Sequence, residues 1–335
     1  MADAAPLVVV VPNWLGDAVM ALPAIADLKR HFADRRMLVA ARASVSSLFT
    51  MVPGVDQVLR ADVSAIHEIQ PSIAVLLPNS FASAWLVWRS SVPQRWGYAT
   101  DLRTRLLTRV VRRPRQAMHQ GEYYQHLVRE LGISTGPLEP AVAIPPAAIE
   151  DARRLLVQHG WHEHTSLIVL APGAAYGKAK QWMPSHVVRL IGDLIHERAV
   201  TCALIGSRGD AATTRAIRAS APKDCQPRIL DLAGATTLPI LAAVMRLAAA
   251  CVSNDSGAMH LAAAAGVPVV GIFGSTNEKA TSPLARSGVP TEVVTNPVWC
   301  RPCMLRECPI DHRCMTGIEP GRVRAAVERV ARVTA

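Results

Sequence analysis

Short, continuous apolar runs alternate with stretches of helical period along the whole chain. Leu7–Val11 is the clearest run: five aliphatic residues in a row, too short for a helix and apolar on both faces. A strand of that kind has to be covered on both sides, as strands of a parallel sheet are when crossover helices pack against them. Met37–Ala41 and Ser72–Leu77 read the same way, with helical patterns from about Asp17 to Phe32 and over Glu122–Leu131. Leu138–Ile149 is rich in Pro and Ala, has no clear period, and reads as the passage between domains. A second series opens at Asp151–His159. Its strand candidates are Leu167–Leu170, Thr201–Ile205, Arg228–Leu232, Cys251–Ser253 and Val267–Phe273, with helical patterns over Pro184–Glu197, Leu238–Ala249 and Gly257–Ala265. This alternation predicts an α/β fold with parallel sheets and right-handed crossovers in both halves. The expected domains are residues 1–150 and 151–335, two Rossmann-like units with sheets facing across a cleft.

Half of the 335 residues are apolar and 19% are charged, which provides for two cores and argues against disorder. The formal net charge of +10 favours anionic partners. Arg103, Arg105, Arg109, Arg112, Arg113 and Arg115 fall close together with no acid among them. They form either a solvated helix face or a docking patch for acidic lipid or saccharide. Nucleic acid is disfavoured, because no recognised binding motif is present and aromatic residues are not interleaved with the arginines. No basic segment precedes Leu7–Val11, and Pro12, Asn13 and Asp17 break the apolar character directly after it. This stretch is therefore expected to be a core strand, not a signal peptide or a membrane span. The expectation is a soluble cytoplasmic protein, with peripheral contact to a membrane surface left open.

Ligands of open parallel sheets bind beyond the carboxyl ends of the strands, so the loops after the strongest strand candidates carry the chemistry. The first loop is Pro12-Asn13-Trp14-Leu15-Gly16-Asp17. Gly16 permits a tight turn and Asp17 falls at a helix start. An N-cap aspartate is the simpler reading of Asp17. A general base for an acceptor hydroxyl is the functional one. The second loop runs from Ala171 to Trp182 and contains Gly173, Gly177, Lys178 and Lys180. It fails as a P-loop, because the glycines are one residue too close and Lys178 is followed by Ala. Two glycines and two lysines at a strand end still suit a departing diphosphate. The third loop is Ser253-Asn254-Asp255-Ser256-Gly257-Ala258-Met259-His260, which opens an Ala-rich helix. Free amides at a helix start attract phosphate, and His260 lies one turn inside. No Asp-x-Asp motif is present, so lysine and amides, rather than Mg²⁺, are expected to balance the diphosphate.

Together the three loops resemble glycosyltransferase family 9, the heptosyltransferases of lipopolysaccharide synthesis. The likeness lies in Asn13–Ala18 with Leu22-Pro23-Ala24, in Pro172-Gly173-Ala174 with Tyr176-Gly177 and Ala179-Lys180-Gln181-Trp182, in Asn254–His260, and in Gly271–Thr276. It implies a GT-B fold and transfer of a heptose from ADP-heptose to the lipopolysaccharide inner core, with inversion and without metal or other cofactor. It implies Asp17 as base, with Lys180, Asp255, Ser256, Gly257 and His260 at the donor phosphates. Asp210 and Thr236 are implied beside the nucleotide or heptose. Ala235 stands where a lysine is usual, and Ala175 where a glutamate is common. Asn13, Trp14, Gly16, Arg103 and Arg105 are the acceptor-side candidates, in the domain that would also meet the inner face of the membrane. The rival readings are another reaction of the same family and a non-catalytic nucleotide- or lipopolysaccharide-binding protein. A nicotinamide dehydrogenase is disfavoured, since no Gly-x-Gly-x-x-Gly follows a strand.

Cys300, Cys303, Cys308 and Cys314 form a compact cluster. In a reducing compartment such a cluster binds metal more often than it forms disulfides. Zinc takes four such ligands, but a second Cys-x-x-Cys pair is missing. Relatives with a similar segment are not regarded as metal enzymes. The segment is read as a structural loop, metal-binding or oxidisable, and not as catalytic.

Overall fold

The structure is a computed structural model, and it describes residues 5–331. The chain divides into two compact units, 1–143 and 144–335. The boundary lies slightly ahead of the expected one, because the helix that opens the second unit already begins at Pro146.

The first unit holds β1 (Leu7–Val10), β2 (Met37–Ala41), β3 (Gln57–Arg60), β4 (Ile73–Leu76), β5 (Gln94–Tyr98) and β6 (Arg109–Val111). All neighbours pair in parallel, in the order β3-β2-β1-β4-β5-β6. β1, β2 and β4 are buried along their whole length, as their unbroken aliphatic sequences require. β3, β5 and β6 were not anticipated. In Gln57-Val58-Leu59-Arg60 only Leu59 is buried, and in Arg109-Val110-Val111 only Val111. Strands at or near a sheet edge need no continuous apolar run, so the signal that marks the central strands is missing. The helix expected over Asp17–Phe32 is two helices, Leu15–Met20 and Leu22–His31. Pro23 has no N–H to donate into the preceding turn, so the chain restarts there. The second helix then buries Leu22, Ile25 and Leu28, each contributing about 1.5–3 kcal/mol by leaving water.

The second unit holds β7 (Leu167–Ala171), β8 (Thr201–Leu204), β9 (Ile229–Asp231), β10 (Ala250–Asn254), β11 (Val269–Phe273) and β12 (Thr291–Thr295). Its order is β12-β11-β10-β7-β8-β9, again parallel throughout. Counted within each unit the strand order is the same, that of a doubly wound Rossmann sheet. The direction of winding reverses between β1 and β4 in the first unit and between β7 and β10 in the second. The loops leaving the carboxyl ends of those four strands flank the reversal, which is where open parallel sheets bind their ligands. β12 is the one strand of this unit that was not anticipated. It is a half-exposed edge, Thr-Glu-Val-Val-Thr.

The arginine run does not form a helix. Thr104–Leu106 is a single 3₁₀ turn and Arg109–Val111 is β6. Among the described residues, no helix is long and apolar enough to cross a membrane.

Candidate active site

In the second unit the loops after β7 and β10 meet at the winding reversal. Asn254, the last residue of β10, is buried and joins them. Its side-chain oxygen accepts from the Trp182 N–H at 3.1 Å, and its amide nitrogen donates to the Pro172 carbonyl at 2.7 Å. Trp182 is itself anchored by an indole N–H to the Ile318 carbonyl, 2.9 Å. This pins both ends of the loop that carries Lys180. The Lys180 ammonium then reaches the Asp255 carboxylate at 2.7 Å, with side-chain exposures of 14% and 5%. The Thr276 hydroxyl donates to the same carboxylate oxygen at 2.7 Å. Tyr176 lays its ring against the ammonium, 4.8 Å from nitrogen to centroid. A second, longer hydrogen bond runs from the ammonium to the Asp255 backbone carbonyl at 3.5 Å; lysine has three donors, so one is left for a ligand on this fixed cation.

Asp255 was expected at the donor phosphates. Its carboxylate is held by Lys180 and Thr276. Ser256 is the residue before the helix Gly257–Ala264, and its side chain does not cap that helix. Its hydroxyl lies 3.1 Å from that of Ser253. The helix start therefore offers backbone amides and a positive dipole end to an anion. His260 is buried in the first turns of that helix. Thr276 belongs to a motif of the sequence but had no expected role. A hydroxyl closing on a buried carboxylate carries no linear signal.

Asp210 sits on the neighbouring loop, after β8. Its carboxylate accepts from the Ser207 N–H and hydroxyl at 2.8 and 2.7 Å. Gly173 passes against it so closely that an added Cβ would strike the carboxylate oxygen. The loop after β9 is tied in by the Gly234 N–H to the Gly206 carbonyl, 2.9 Å. It carries Thr236, next to Thr237, which is the N-cap of the helix Leu238–Arg246. Lys180, Asp255, Ser256, Gly257, His260, Asp210 and Thr236 thus all belong to the carboxyl edge of one sheet, on four successive loops.

In the first unit Asp17 lies in the first turn of the helix Leu15–Met20, and Trp14, not Asp17, is its N-cap. The capping reading therefore falls. The half-buried Asp17 carboxylate accepts from the Tyr124 hydroxyl at 3.5 Å. Burial, followed by the nearby Asp17 charge, holds the Tyr124 phenol well above its usual range, so it stays a donor. Asn13 and Trp14 are exposed beside it, Trp14 by 58%, and Gly16 is partly exposed.

Arg103 requires a correction. It was expected on an acceptor-docking surface, and it is fully buried. Its guanidinium donates to the Tyr98 carbonyl at 3.0 Å and the Ser83 hydroxyl at 2.9 Å, and it braces the loop after β4 through the Pro78 and Ser80 carbonyls at 2.5 and 3.3 Å. Burial lowers its pKa to about 10, which still leaves it charged at neutral pH. Spacing alone could not separate it from Arg105, Arg109, Arg112, Arg113 and Arg115, which are exposed.

Residues 63–313 match the family described as Glycosyltransferase family 9 (heptosyltransferase). Lipooligosaccharide heptosyltransferase 2 of Haemophilus influenzae is 25% identical over 299 residues, covering 83% of this chain and 86% of that protein. Lipopolysaccharide heptosyltransferase 2 of Escherichia coli is 26% identical over 308 residues, covering 86% and 88%. Among solved structures, E. coli ADP-heptose lps heptosyltransferase II superposes with a TM-score of 0.83 at 25% identity, covering 97% of this chain and 98% of that one. The two parallel six-stranded sheets are those of the GT-B heptosyltransferases. Profile, relatives and structure agree, and the chain belongs to glycosyltransferase family 9, the heptosyltransferases.

Proposed function

We propose that this enzyme transfers a heptose from ADP-heptose to the lipopolysaccharide inner core, as a heptosyltransferase of type II. The observation that carries the reading is the fixed Lys180 ammonium beside the start of the helix Gly257–Ala264, at the winding reversal of the second sheet. A fixed cation with one donor left, next to helix-start amides, suits a leaving diphosphate. The relatives that share most of the chain's length are heptosyltransferases 2.

The mechanism is a single displacement with inversion. Asp17 takes the proton of the acceptor hydroxyl, whose oxygen attacks the anomeric carbon as the bond to ADP breaks. Lys180 and the amides after Asp255 stabilise the negative charge that develops on the diphosphate, without a catalytic metal. Asp255 and Thr276 keep Lys180 aimed. Asp210 and Thr236, on the loops after β8 and β9, contact the nucleotide or heptose. Asn13, Trp14, Gly16 and the exposed Arg105 serve the acceptor.

The working place is the cytoplasmic face of the inner membrane. Helix Phe81–Arg89 exposes Phe81, Trp85 and Trp88, and Arg89 follows them. Such an aromatic and basic surface suits a lipid interface with anionic headgroups.

Replacing Asp17 with Ala tests the reading. Turnover should fall about 10²–10⁴-fold, the usual contribution of a general base. ADP affinity, measured by calorimetry, should stay within about twofold, since the second unit is untouched. Unchanged turnover would remove Asp17 as the base.

A further inference from the structure

Four cysteines have no part in the reaction described above. Cys300, Cys303, Cys308 and Cys314 line a single small hollow, together with Ser275 and His312. All four are free thiols. Three observations mark the hollow as built. Ser275 is buried and its hydroxyl has no hydrogen-bond partner, although nearly all buried hydroxyls find one. The His312 backbone N–H donates to the Cys308 sulfur at 3.3 Å, the kind of outer contact that orients a metal thiolate. Met304 and His312 both hold left-handed backbone, at φ +58°. A non-glycine residue keeps that conformation only where its surroundings impose it.

The spacing allows chelation by a single ion. Cys300 and Cys303 form one Cys-x-x-Cys pair. Cys308 follows in the loop, and Cys314 comes from the short helix Arg313–Thr316. Asp311, the carboxylate that also lines the hollow, is held by the Arg313 guanidinium at 2.8 Å. The donors left for an ion are sulfur, which favours zinc over magnesium or calcium.

We propose that Cys300, Cys303, Cys308 and Cys314 bind one zinc ion in a four-thiolate site, and that this site braces the loop carrying Lys180. The thiols ring the hollow without closing on it. Among the described residues, only His196, Asp224 and Cys225 have ligand atoms all within 4.8 Å of one another. Zinc draws the four sulfurs inward as each thiol gives up its proton to solvent.

The bracing follows from the contacts of the cysteine segment. The Ala179 N–H donates to the Arg306 carbonyl at 2.9 Å, and the His312 Nε2 lies 2.9 Å from the Ala179 carbonyl. The Tyr176 hydroxyl donates to the Met304 carbonyl, and the Met304 N–H to the Ser275 carbonyl, both at 2.9 Å. Gly177 lies so close to Arg306 that an added Cβ would strike its carbonyl oxygen. The cysteine segment thus grips Tyr176–Ala179 on one side and the strand end before Thr276 on the other. Those are the two supports of the Lys180–Asp255 pair. The bracing matters to catalysis only if the donor-site reading holds, whereas metal binding stands apart from it.

The test uses the full-length reduced protein, stripped of metal and titrated with Co²⁺ as a spectroscopic substitute. One Co²⁺ per chain should bind with a sulfur-to-cobalt charge-transfer band and tetrahedral d–d absorption, and Zn²⁺ should displace it. Cys303→Ser and Cys308→Ser should each abolish or greatly weaken that band, and Cys225→Ser should leave it. A second measurement needs no variant. Zn²⁺ should shield the four cysteines together from iodoacetamide, read by peptide mass spectrometry, and should slow amide exchange over Gly177–Gln181. A cobalt spectrum without sulfur charge transfer would overturn the site, as would equal alkylation with and without Zn²⁺. A band lost with Cys225→Ser but kept with Cys303→Ser would place the ion at His196, Asp224 and Cys225 instead. Shielding without slower exchange at Gly177–Gln181 would leave the metal and overturn the bracing.

Discussion

Lys180→Met removes an ammonium and keeps a side chain of similar length. It leaves the Asp255 carboxylate, 5% exposed, with Thr276 as its remaining side-chain partner. Removing one partner of a buried pair costs about 3–5 kcal/mol, because the other charge stays buried without compensation. The low end, about 3 kcal/mol, applies here because the Lys180 side chain is 14% exposed and partly screened. For a unit of this size each kcal/mol lowers Tm by about 2–4 °C, so the second unit should melt about 6–12 °C lower. The double variant Lys180→Met/Asp255→Asn no longer buries a lone charge and should recover about 2 kcal/mol of that loss. Turnover should not recover: both proteins lack the cation proposed for the leaving diphosphate and should lose about 10²–10³-fold. Thermal and urea unfolding measure the first quantity, and initial rates of heptose transfer the second. If the double variant is no more stable than the single one, the loss does not come from an orphaned charge. If Lys180→Met retains its turnover, Lys180 does not serve the diphosphate.

Other contacts set further outcomes. Gly173→Ala drives a methyl group into the Asp210 carboxylate and should cost about 1–3 kcal/mol by overpacking, together with a raised KM for the donor. Arg103→Met should destabilise the first unit by about 2–4 kcal/mol through its lost buried hydrogen bonds. Its acceptor KM should stay unchanged, and a selective rise in that KM would return Arg103 to the docking surface. Asp62, the N-cap of helix Val63–Ile69, has its pKa lowered from 3.8 to about 2, first by the Ala65 N–H. Asp56 is lowered as well, mainly by the Met37 N–H. Depressed carboxylates stabilise the fold fully above their unfolded pKa, and the contribution disappears as pH falls through the folded one. The first unit should therefore lose stability between about pH 4 and pH 2, and Asp62→Asn should flatten that limb.

The sequence revealed those parts of the molecule whose physics is local. Leu7–Val11, Leu167–Leu170 and Val267–Phe273 are continuous aliphatic runs, which a doubly covered parallel strand needs, and they form central strands. Gln57–Arg60 and Thr291–Thr295 face solvent along an edge, where alternation is weak and polar residues are tolerated, so they gave no comparable signal. Pro23 marks the break in the first helix, but the apolar period of Leu15, Val19, Leu22 and Ile25 runs straight through it. At the site, the three loops could be read because each follows a strong strand. Their mutual geometry could not. Asp255 holding Lys180, with Thr276 closing from the loop after β11, joins residues far apart in sequence. Arg103 differs from its neighbouring arginines only by facing inward, which spacing in a non-helical segment does not disclose.

The central claim is tested most directly by offering the enzyme ADP-heptose with two acceptors, Kdo₂-lipid A and its mono-heptosylated form, with no added divalent metal, and weighing the products by mass spectrometry. One heptose added to the mono-heptosylated acceptor alone is the predicted result. Addition to Kdo₂-lipid A alone would make the enzyme a type I heptosyltransferase, and addition to neither would contradict the assigned substrates while leaving the fold and the family in place.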